Sequence, residues 1–170
     1  MNGTKDRSRK DVLAVSLFAR IIGLGNEYRC DDGVGFVVVR RLQAQLTLYQ
    51  QGIEMLCCDD ETRLLDLWKD VAHVIMIDAA SFGAVAGTIM RFDLLTQPLP
   101  ASFESISTHT VGLREVLGIA HILYSLPDSL VLYAIEGKEY AAGITLSPEV
   151  TRAVDEVVQR VQAELQAYAC

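Results

Sequence analysis

The chain has 170 residues, of which 51% are hydrophobic, and its 15 basic and 22 acidic residues give a net charge of −7. This length suits one domain, which can bury roughly 70% of its unfolded surface. The acidic balance argues against general nucleic-acid binding, which depends on clustered lysine and arginine. The sequence contains no apolar run of about 18 residues, so no membrane-spanning helix is expected.

A flexible leader is predicted over residues 1–14, followed by a single domain over residues 15–170. The leader is basic and precedes an apolar run, as in a signal peptide. However, the apolar run is short, no A-x-A cleavage site follows it, and cleavage there would cut into the first predicted strand. A secreted protein is therefore not the favoured interpretation.

The first half of the domain is predicted to alternate between strand and helix. Residues 15–23 form an apolar run rich in β-branched and aromatic residues, which is typical of a buried strand. Residues 33–46 divide into an apolar and a polar face, which indicates a helix. A second strand is predicted over residues 53–58 and a second helix over residues 61–70.

The second half continues the alternation and fixes the fold class. Residues 73–80 are nearly all apolar, which predicts a central strand, and residues 87–95 predict a strand at an edge. A helix near 110–125 and a last strand over 129–137 follow. The tripeptide Ser147-Pro148-Glu149 predicts the start of the final helix, with serine as its N-cap. The alternation predicts an α/β fold: one three-layer domain with a mainly parallel, twisted sheet between helices.

The loop after the first strand lies in the segment IIGLGNEYRCDDGVGF, residues 21–36. Its two leading glycines resemble those of a phosphate-binding loop, but Asp31 and Asp32 follow, and clustered carboxylates repel an anion. The loop is therefore expected to approach a metal ion. Asn26 is expected to form a hydrogen bond within the turn, and Asp31 is expected to cap the helix that begins at Gly33.

The four cysteines are Cys30, Cys57, Cys58 and Cys170. They form no C-x-x-C pair, which argues against a zinc ribbon or a thioredoxin-type motif. The adjacent pair is a poor disulfide because that bond would strain the backbone, so reduced thiols are expected. Cys30 is a poor nucleophile because the neighbouring carboxylates would raise the pKa of its thiol.

Three polar residues are placed where the carboxyl ends of the predicted strands should meet. Asp32 lies in the loop after the first strand, Asp78 ends the apolar run VIMID, and His109 precedes a predicted helix. Functional groups collect at this edge in open α/β sheets. Two carboxylates and an imidazole suit a divalent ion such as nickel, zinc, iron or manganese, with positions left open for substrate.

Four segments in this order resemble the maturation endopeptidases of nickel-iron hydrogenases. They are GLGNEYRCDDGVG, VIMIDAA, STHTVGL and LYAIEGKEYAAGITLSPEV, and the resemblance extends from Ile21 to about Val158. It implies a cytoplasmic peptidase that removes a C-terminal extension from the hydrogenase large-subunit precursor after nickel insertion. It also implies that Asp32, Asp78 and His109 are the metal-binding and catalytic residues, with the nickel carried by the precursor. Neither a nucleic acid nor a membrane is expected as a partner.

One departure from the family pattern leaves alternatives open. After the second strand the family often has an Asp-Gly-Gly or Asp-Gly-Thr turn, whereas this chain has Cys57-Cys58-Asp59-Asp60. A non-catalytic, metal-sensing chaperone of the precursor is therefore an alternative. A peptidyl-tRNA hydrolase, which also begins with a GLGN loop, is less favoured: it would need a histidine soon after that loop, where this chain has Arg29-Cys30-Asp31-Asp32.

Overall fold

The computed structural model describes residues 18–46, 52–100, 104–105, 112–123 and 125–168. The predicted leader lies outside these ranges. The strands are β1 (Ala19–Leu24), β2 (Ile53–Cys58), β3 (His73–Ser81), β4 (Ile89–Asp93), β5 (Glu104–Ser105) and β6 (Ser129–Glu136). The helices are α1 (Val34–Leu46), α2 (Leu64–Leu67), α3 (Leu113–Ile122) and α4 (Pro148–Tyr168), and two 3₁₀ turns cover Cys30–Gly33 and Glu61–Arg63.

The strands form one sheet in the order β2-β1-β3-β6-β4, with β5 paired to the end of β3. The pairs β1–β2, β1–β3 and β3–β6 are parallel, whereas β4 runs antiparallel to β6 at the sheet edge. The predictions of a central strand at 73–80 and an edge strand near 87–95 are therefore confirmed.

Helices cover both faces of the sheet. Side chains of β1, β3 and β6 at Ile21, Ile77 and Val131 pack with α1 and α4 on one face. Their sequence neighbours, such as Ile22 and Met76, pack with α2 and α3 on the other. A parallel sheet must bury both faces in this way, which explains the nearly continuous apolar runs of its strands. The predicted three-layer α/β fold is confirmed.

The second predicted helix is shorter than the sequence pattern indicated. In place of a helix over 61–70 there is a 3₁₀ turn, followed by the single helical turn α2. The chain then reverses at Asp70, whose φ is +58°, so the helix cannot continue toward β3. Leu64 and Trp68 are nevertheless buried as the spacing predicted.

The final helix begins as predicted. Ser147 precedes α4, and its Oγ accepts a hydrogen bond from Val150 N at 3.5 Å while its carbonyl oxygen accepts one from Thr151 N at 2.8 Å. Among the described residues, no helix combines the length and the apolar character that crossing a membrane would require.

The start of α1 packs directly against the ends of two strands. A Cβ added at Gly35 would lie 2.5 Å from the carbonyl oxygens of both Leu24 and Ile77. These oxygens belong to the backbone of β1 and β3, which cannot move aside without disturbing the sheet. Glycine is therefore the residue that lets α1 approach the carboxyl ends of these strands.

A single carboxylate joins the loop after β1 to the segment after β6. Asp31 Oδ2 accepts hydrogen bonds from the backbone nitrogens of Lys138 and Glu139, each at 2.9 Å. Its Oδ1 accepts a third from Ser147 N at 2.6 Å, and Asp31 N donates to Glu139 O. We call these contacts the Asp31 latch. The expectation that Asp31 caps its own helix was wrong, because both of its oxygens point to a segment more than a hundred residues away.

Gly35→Ala is expected to lower the free energy of unfolding by about 3 kcal/mol, since the new methyl group meets fixed backbone oxygens. The matched control is Gly118→Ala in α3, where an added Cβ meets no atom within 4 Å. That change should raise stability by about 0.5–1 kcal/mol, as alanine favours a helix over glycine. Urea unfolding of both variants measures the difference, and equal effects would contradict the close approach of α1.

Asp31→Asn is expected to lower the free energy of unfolding by about 2–4 kcal/mol. The amide replaces one acceptor oxygen by a donor, so at least one buried backbone N–H loses its partner. The control is Asp66→Asn, which removes only an exposed pair with Lys69 and should leave the urea midpoint nearly unchanged. An Asp31→Asn variant as stable as the parent would show that the latch does not hold the loops together.

Candidate active site at the carboxyl ends of the strands

The two predicted carboxylates are delivered to the same edge of the sheet. The last pair between β1 and β3 is Gly23 with Ile77, so β1 ends beside the position that Asp78 occupies in β3. Asp32 follows β1 through a short loop and lies in the 3₁₀ turn before α1. Asp32 and Asp78 are only 2% and 1% exposed. The sequence prediction that these side chains share one edge agrees with the parallel topology.

The glycine loop folds back onto Asp32. Gly25 has a φ of +114°, and a Cβ built there would lie 1.9 Å from the backbone oxygen of Asp32 and 3.3 Å from its Oδ1. No residue with a side chain fits this position. Asn26 Oδ1 accepts a hydrogen bond from Tyr28 N at 2.9 Å, which confirms its predicted role within the turn. The loop therefore fixes Asp32 through close backbone contact.

Buried acids are concentrated at this edge. Within the described part of the chain, the buried acids all lie toward the carboxyl end of a parallel strand or after it: Asp31 and Asp32 after β1, Glu61 after β2, Asp78 in β3 and Glu136 in β6. Burying carboxylates is costly unless hydrogen bonds or cations compensate them. The arrangement favours positively charged ligands over phosphate, in agreement with the interpretation of the loop.

Backbone amides account for two of these acids. Asp31 forms the latch, and Glu136 Oε2 accepts a hydrogen bond from Phe82 N at 2.8 Å. Both side chains thereby hold connecting segments around the edge of the sheet. Their role is to position the loops that surround Asp32 and Asp78.

Tyr140 lies beside the acids in the segment after β6. Its hydroxyl donates a hydrogen bond to Ala80 O at 3.5 Å, which places the ring near the end of β3. Burial raises the pKa of Tyr140, and the negative charges of Glu136, Asp31 and Asp32 raise it further. The side chain therefore remains a neutral phenol, which can donate a hydrogen bond at this edge.

The cysteines of β2 do not form a nucleophilic centre. Burial raises the pKa of Cys57, an effect that Arg40 partly offsets, and burial likewise raises the pKa of Cys58. The Cys58 thiol donates a hydrogen bond to Asp60 O at 3.1 Å. The described cysteines, including Cys30, are free thiols, as predicted. Cys57 pairs in register with Gly23. The segment Cys57-Cys58-Asp59-Asp60, which differs from the family pattern, therefore begins next to the glycine loop.

The third predicted ligand, His109, lies outside the described residues. The described chain resumes at Gly112, directly before α3, and α3 covers the sheet face toward which the alternation of β3 directs Asp78. Within the described ranges, no three His, Cys, Asp or Glu side chains form a cluster that could hold a metal ion. The two aspartates can supply oxygen ligands, and the nitrogen ligand stays a prediction.

The sequence interpretation did not single out Glu136, Tyr140 or Arg29 as residues of this edge. Glu136 carried the same signal as Asp78, an acid that follows an apolar run, and could have been found. Tyr140 and Arg29 lie in polar loops without a distinguishing pattern, and only the contacts between loops bring them here.

Comparison with known proteins identifies relatives of this fold and chain. The family model HycI, hydrogenase maturation protease, matches residues 59–164. The hydrogenase 2 maturation protease of Escherichia coli (strain K12) is 29% identical over 151 residues, which are 86% of this chain and 89% of the relative.

Solved structures share the fold. The hydrogenase maturating endopeptidase HybD from E. coli superposes with a TM-score of 0.74 at 24% identity, covering 88% of this chain and 93% of that one. The nickel-iron hydrogenase maturation protease HybD from Thermococcus kodakarensis gives a TM-score of 0.66 at 25% identity, with 86% and 97% covered. Because the family model matches more than half of its length, this chain belongs to the hydrogenase maturation proteases, a family of endopeptidases.

Proposed function

We propose that this protein is a cytoplasmic endopeptidase that removes the C-terminal extension of a nickel-iron hydrogenase large-subunit precursor after nickel has been inserted. The relatives described as hydrogenase maturation proteases support the reaction and the class of substrate. The observation that carries the proposal for the site is the pair of buried carboxyl side chains, Asp32 and Asp78, at the neighbouring ends of β1 and β3.

The metal-binding role is assigned to Asp32, Asp78 and His109. Two carboxylate oxygens and one imidazole nitrogen suit a borderline divalent ion and leave positions for ligands that the precursor supplies. The nickel arrives with the precursor and is part of the substrate. Bound between the two proteins, it would polarise the scissile carbonyl or lower the pKa of a bound water.

Fixed acids can test whether the precursor is loaded. The glycine loop and the Asp31 latch hold Asp32 in a defined position at the edge of the sheet. A loaded precursor brings a cation that compensates the buried negative charge, whereas an empty precursor brings the acids no such compensation. Productive docking is therefore expected only after nickel insertion.

A metal-sensing chaperone that binds the precursor without cutting it is the second candidate. It is favoured by one observation: the loop Cys57-Cys58-Asp59-Asp60, whose sequence differs from the family pattern, begins beside β1 and next to the glycine loop. A changed loop at this position would alter how the precursor docks. Cleavage, rather than binding, separates the two functions.

The purified protein should shorten a nickel-loaded large-subunit precursor from its own organism by one C-terminal peptide, and mass spectrometry of the products measures this. Asp78→Asn should lower the cleavage rate about 100-fold or more, because the amide lacks the negative charge that would bind the metal ion. The control is Asp155→Asn, which removes only an exposed pair with Arg41 and should cleave at the parental rate.

The two precursor states separate the interpretations. Cleavage of the nickel-free precursor at the same rate would contradict metal sensing while keeping the peptidase. Stable binding of every loaded precursor without cleavage would contradict the peptidase and support the chaperone. Circular dichroism of Asp78→Asn checks that the variant is folded.

Cys30→Ser and Cys57→Ser are expected to cleave the loaded precursor within about threefold of the parental rate. Neither thiol serves as a nucleophile in the proposed reaction, and burial keeps Cys57 protonated. Single-turnover cleavage measures both variants, and treatment of the parent protein with iodoacetamide provides an independent check. A cleavage rate about 1,000-fold lower in Cys30→Ser would contradict the metal-assisted reaction and indicate covalent catalysis by this thiol.

A further inference from the structure

Most charged groups around the candidate site have partners within the protein. Lys138 Nζ forms an ion pair with Glu149 Oε1 at 2.8 Å, and Arg40 pairs with Glu27. Glu139 Oε1 accepts hydrogen bonds from the backbone nitrogens of Tyr140 and Ala141, at 3.0 and 2.9 Å. The carboxylates of Asp31 and Glu136 bind backbone amides, as described above.

Arg29 is different. Its backbone is well held, since its N–H donates to Asn26 O at 3.1 Å and its carbonyl oxygen accepts from Asp32 N at 3.1 Å. Its side chain is half-buried, and the Nη1 atom is buried without a hydrogen-bond partner among the described residues. Those residues also give the guanidinium no ion pair. A buried N–H without an acceptor is costly. The described chain therefore leaves Nη1 of this guanidinium unsatisfied, while the side chain as a whole is only half-buried.

The position of Arg29 relates this guanidinium to the substrate. Arg29 pairs with Gly143 in an isolated parallel β-bridge, in which Cys30 N donates to Gly143 O at 2.8 Å and Gly143 N donates to Tyr28 O at 2.9 Å. We call the paired segments 28–30 and 143–144 the Arg29 rim. Two residues separate Arg29 from Asp32, so a chain that reaches the acids can also contact this rim.

Two exposed apolar side chains lie on the segments of this rim. Tyr28 is 67% exposed and Ile144 is 76% exposed, and the β-bridge places them on adjoining segments. They provide exposed apolar surface for an extended peptide on the same two segments as Arg29. Arginine and tyrosine are both enriched at protein interfaces.

We propose that Arg29 is a specificity-determining residue that binds a carboxylate on the C-terminal extension of the precursor. This inference depends on the proposed function. The planar guanidinium matches a carboxylate with two parallel hydrogen bonds, which makes a carboxylate a stronger partner than a single carbonyl oxygen.

The surrounding acids sharpen this selection. Glu136, Glu139 and the two aspartates repel a negatively charged peptide at most positions along the edge. A carboxylate that meets Arg29 is compensated, so the contact fixes the register of the extension relative to Asp32 and Asp78. Arg29 thereby acts on substrate binding and on the choice of the cleaved bond.

The test compares Arg29→Gln, Arg29→Lys and the control Arg41→Gln in cleavage of the nickel-loaded precursor. Arg41 is an exposed residue of α1, so its substitution removes the same charge away from the rim. Arg29→Gln should raise KM about 10- to 100-fold and change kcat less than about threefold. Arg29→Lys should recover part of the loss, and Arg41→Gln should match the parent. An unchanged KM for Arg29→Gln would overturn the proposal.

Two altered precursors identify the source of the carboxylate. In one, the acidic side chains of the extension are converted to amides; in the other, two glycines added at the C-terminus displace the terminal carboxylate. For the altered precursor that lacks the contacting carboxylate, the KM of the parent protein should be higher than for the natural precursor. The KM of Arg29→Gln should be the same for both precursors. If both precursors behave like the natural one, no carboxylate is bound and the proposal fails.

Peptide binding separates this proposal from the proposed function. Synthetic peptides that correspond to the extensions of the organism's large-subunit precursors can be titrated by fluorescence anisotropy, without cleavage. Binding that weakens about tenfold or more in Arg29→Gln would support the carboxylate contact even if the parent protein cuts nothing. Binding to the parent and to Arg29→Gln with equal affinity would overturn it, as would undetectable binding to the parent. Thermal melting of the variants checks that each one is folded.

Discussion

The Asp31 latch is the interaction on which the geometry of the site depends. One carboxylate binds backbone nitrogens 107, 108 and 116 residues away in the chain, and thereby holds the segment after β6 against the loop after β1. Because the third nitrogen belongs to Ser147, the same side chain also fixes the start of α4. A buried anion with three amide donors is well compensated, so the latch can stabilise the fold and place the loops together.

The latch separates the roles of two consecutive acids. Asp31 is directed to the backbone of the neighbouring segment, while Gly25 presses against the next residue, Asp32, from the other side of the loop. Each acid therefore has a defined environment, although the sequence shows only a repeated aspartate. At Gly35, α1 also lies in close contact with the backbone of Ile77, the residue before Asp78. The two candidate ligands are thus positioned by backbone contacts that admit only glycine.

Much of the fold could be predicted, because periodicity is a local property of the chain. The apolar run of β3 indicated a central strand, and the acid that follows VIMI indicated the edge of the candidate site. The partners of Asp31 could not be predicted, since nothing near it in the sequence indicates a segment more than a hundred residues away. The predicted length of the second helix was wrong, because Asp70, where the chain reverses with a positive φ, has no strong sequence signal. His109 stays a prediction outside the described residues.

The distribution of charge at the edge supports the proposal that the substrate carries a cation to this site. Several carboxyl groups are buried at the ends of β1, β2, β3 and β6, and the latch and Glu136 show that backbone amides compensate part of this charge. A phosphate ligand would add to the repulsion, whereas a metal ion brought by a partner would relieve it. In the proposed function, electrostatic relief and the arrival of the correct substrate are therefore the same event. Under the further proposal, Arg29 would add a second electrostatic contact of opposite sign. Its guanidinium would bind a carboxylate of the extension, next to the acids that would bind the metal ion of the precursor.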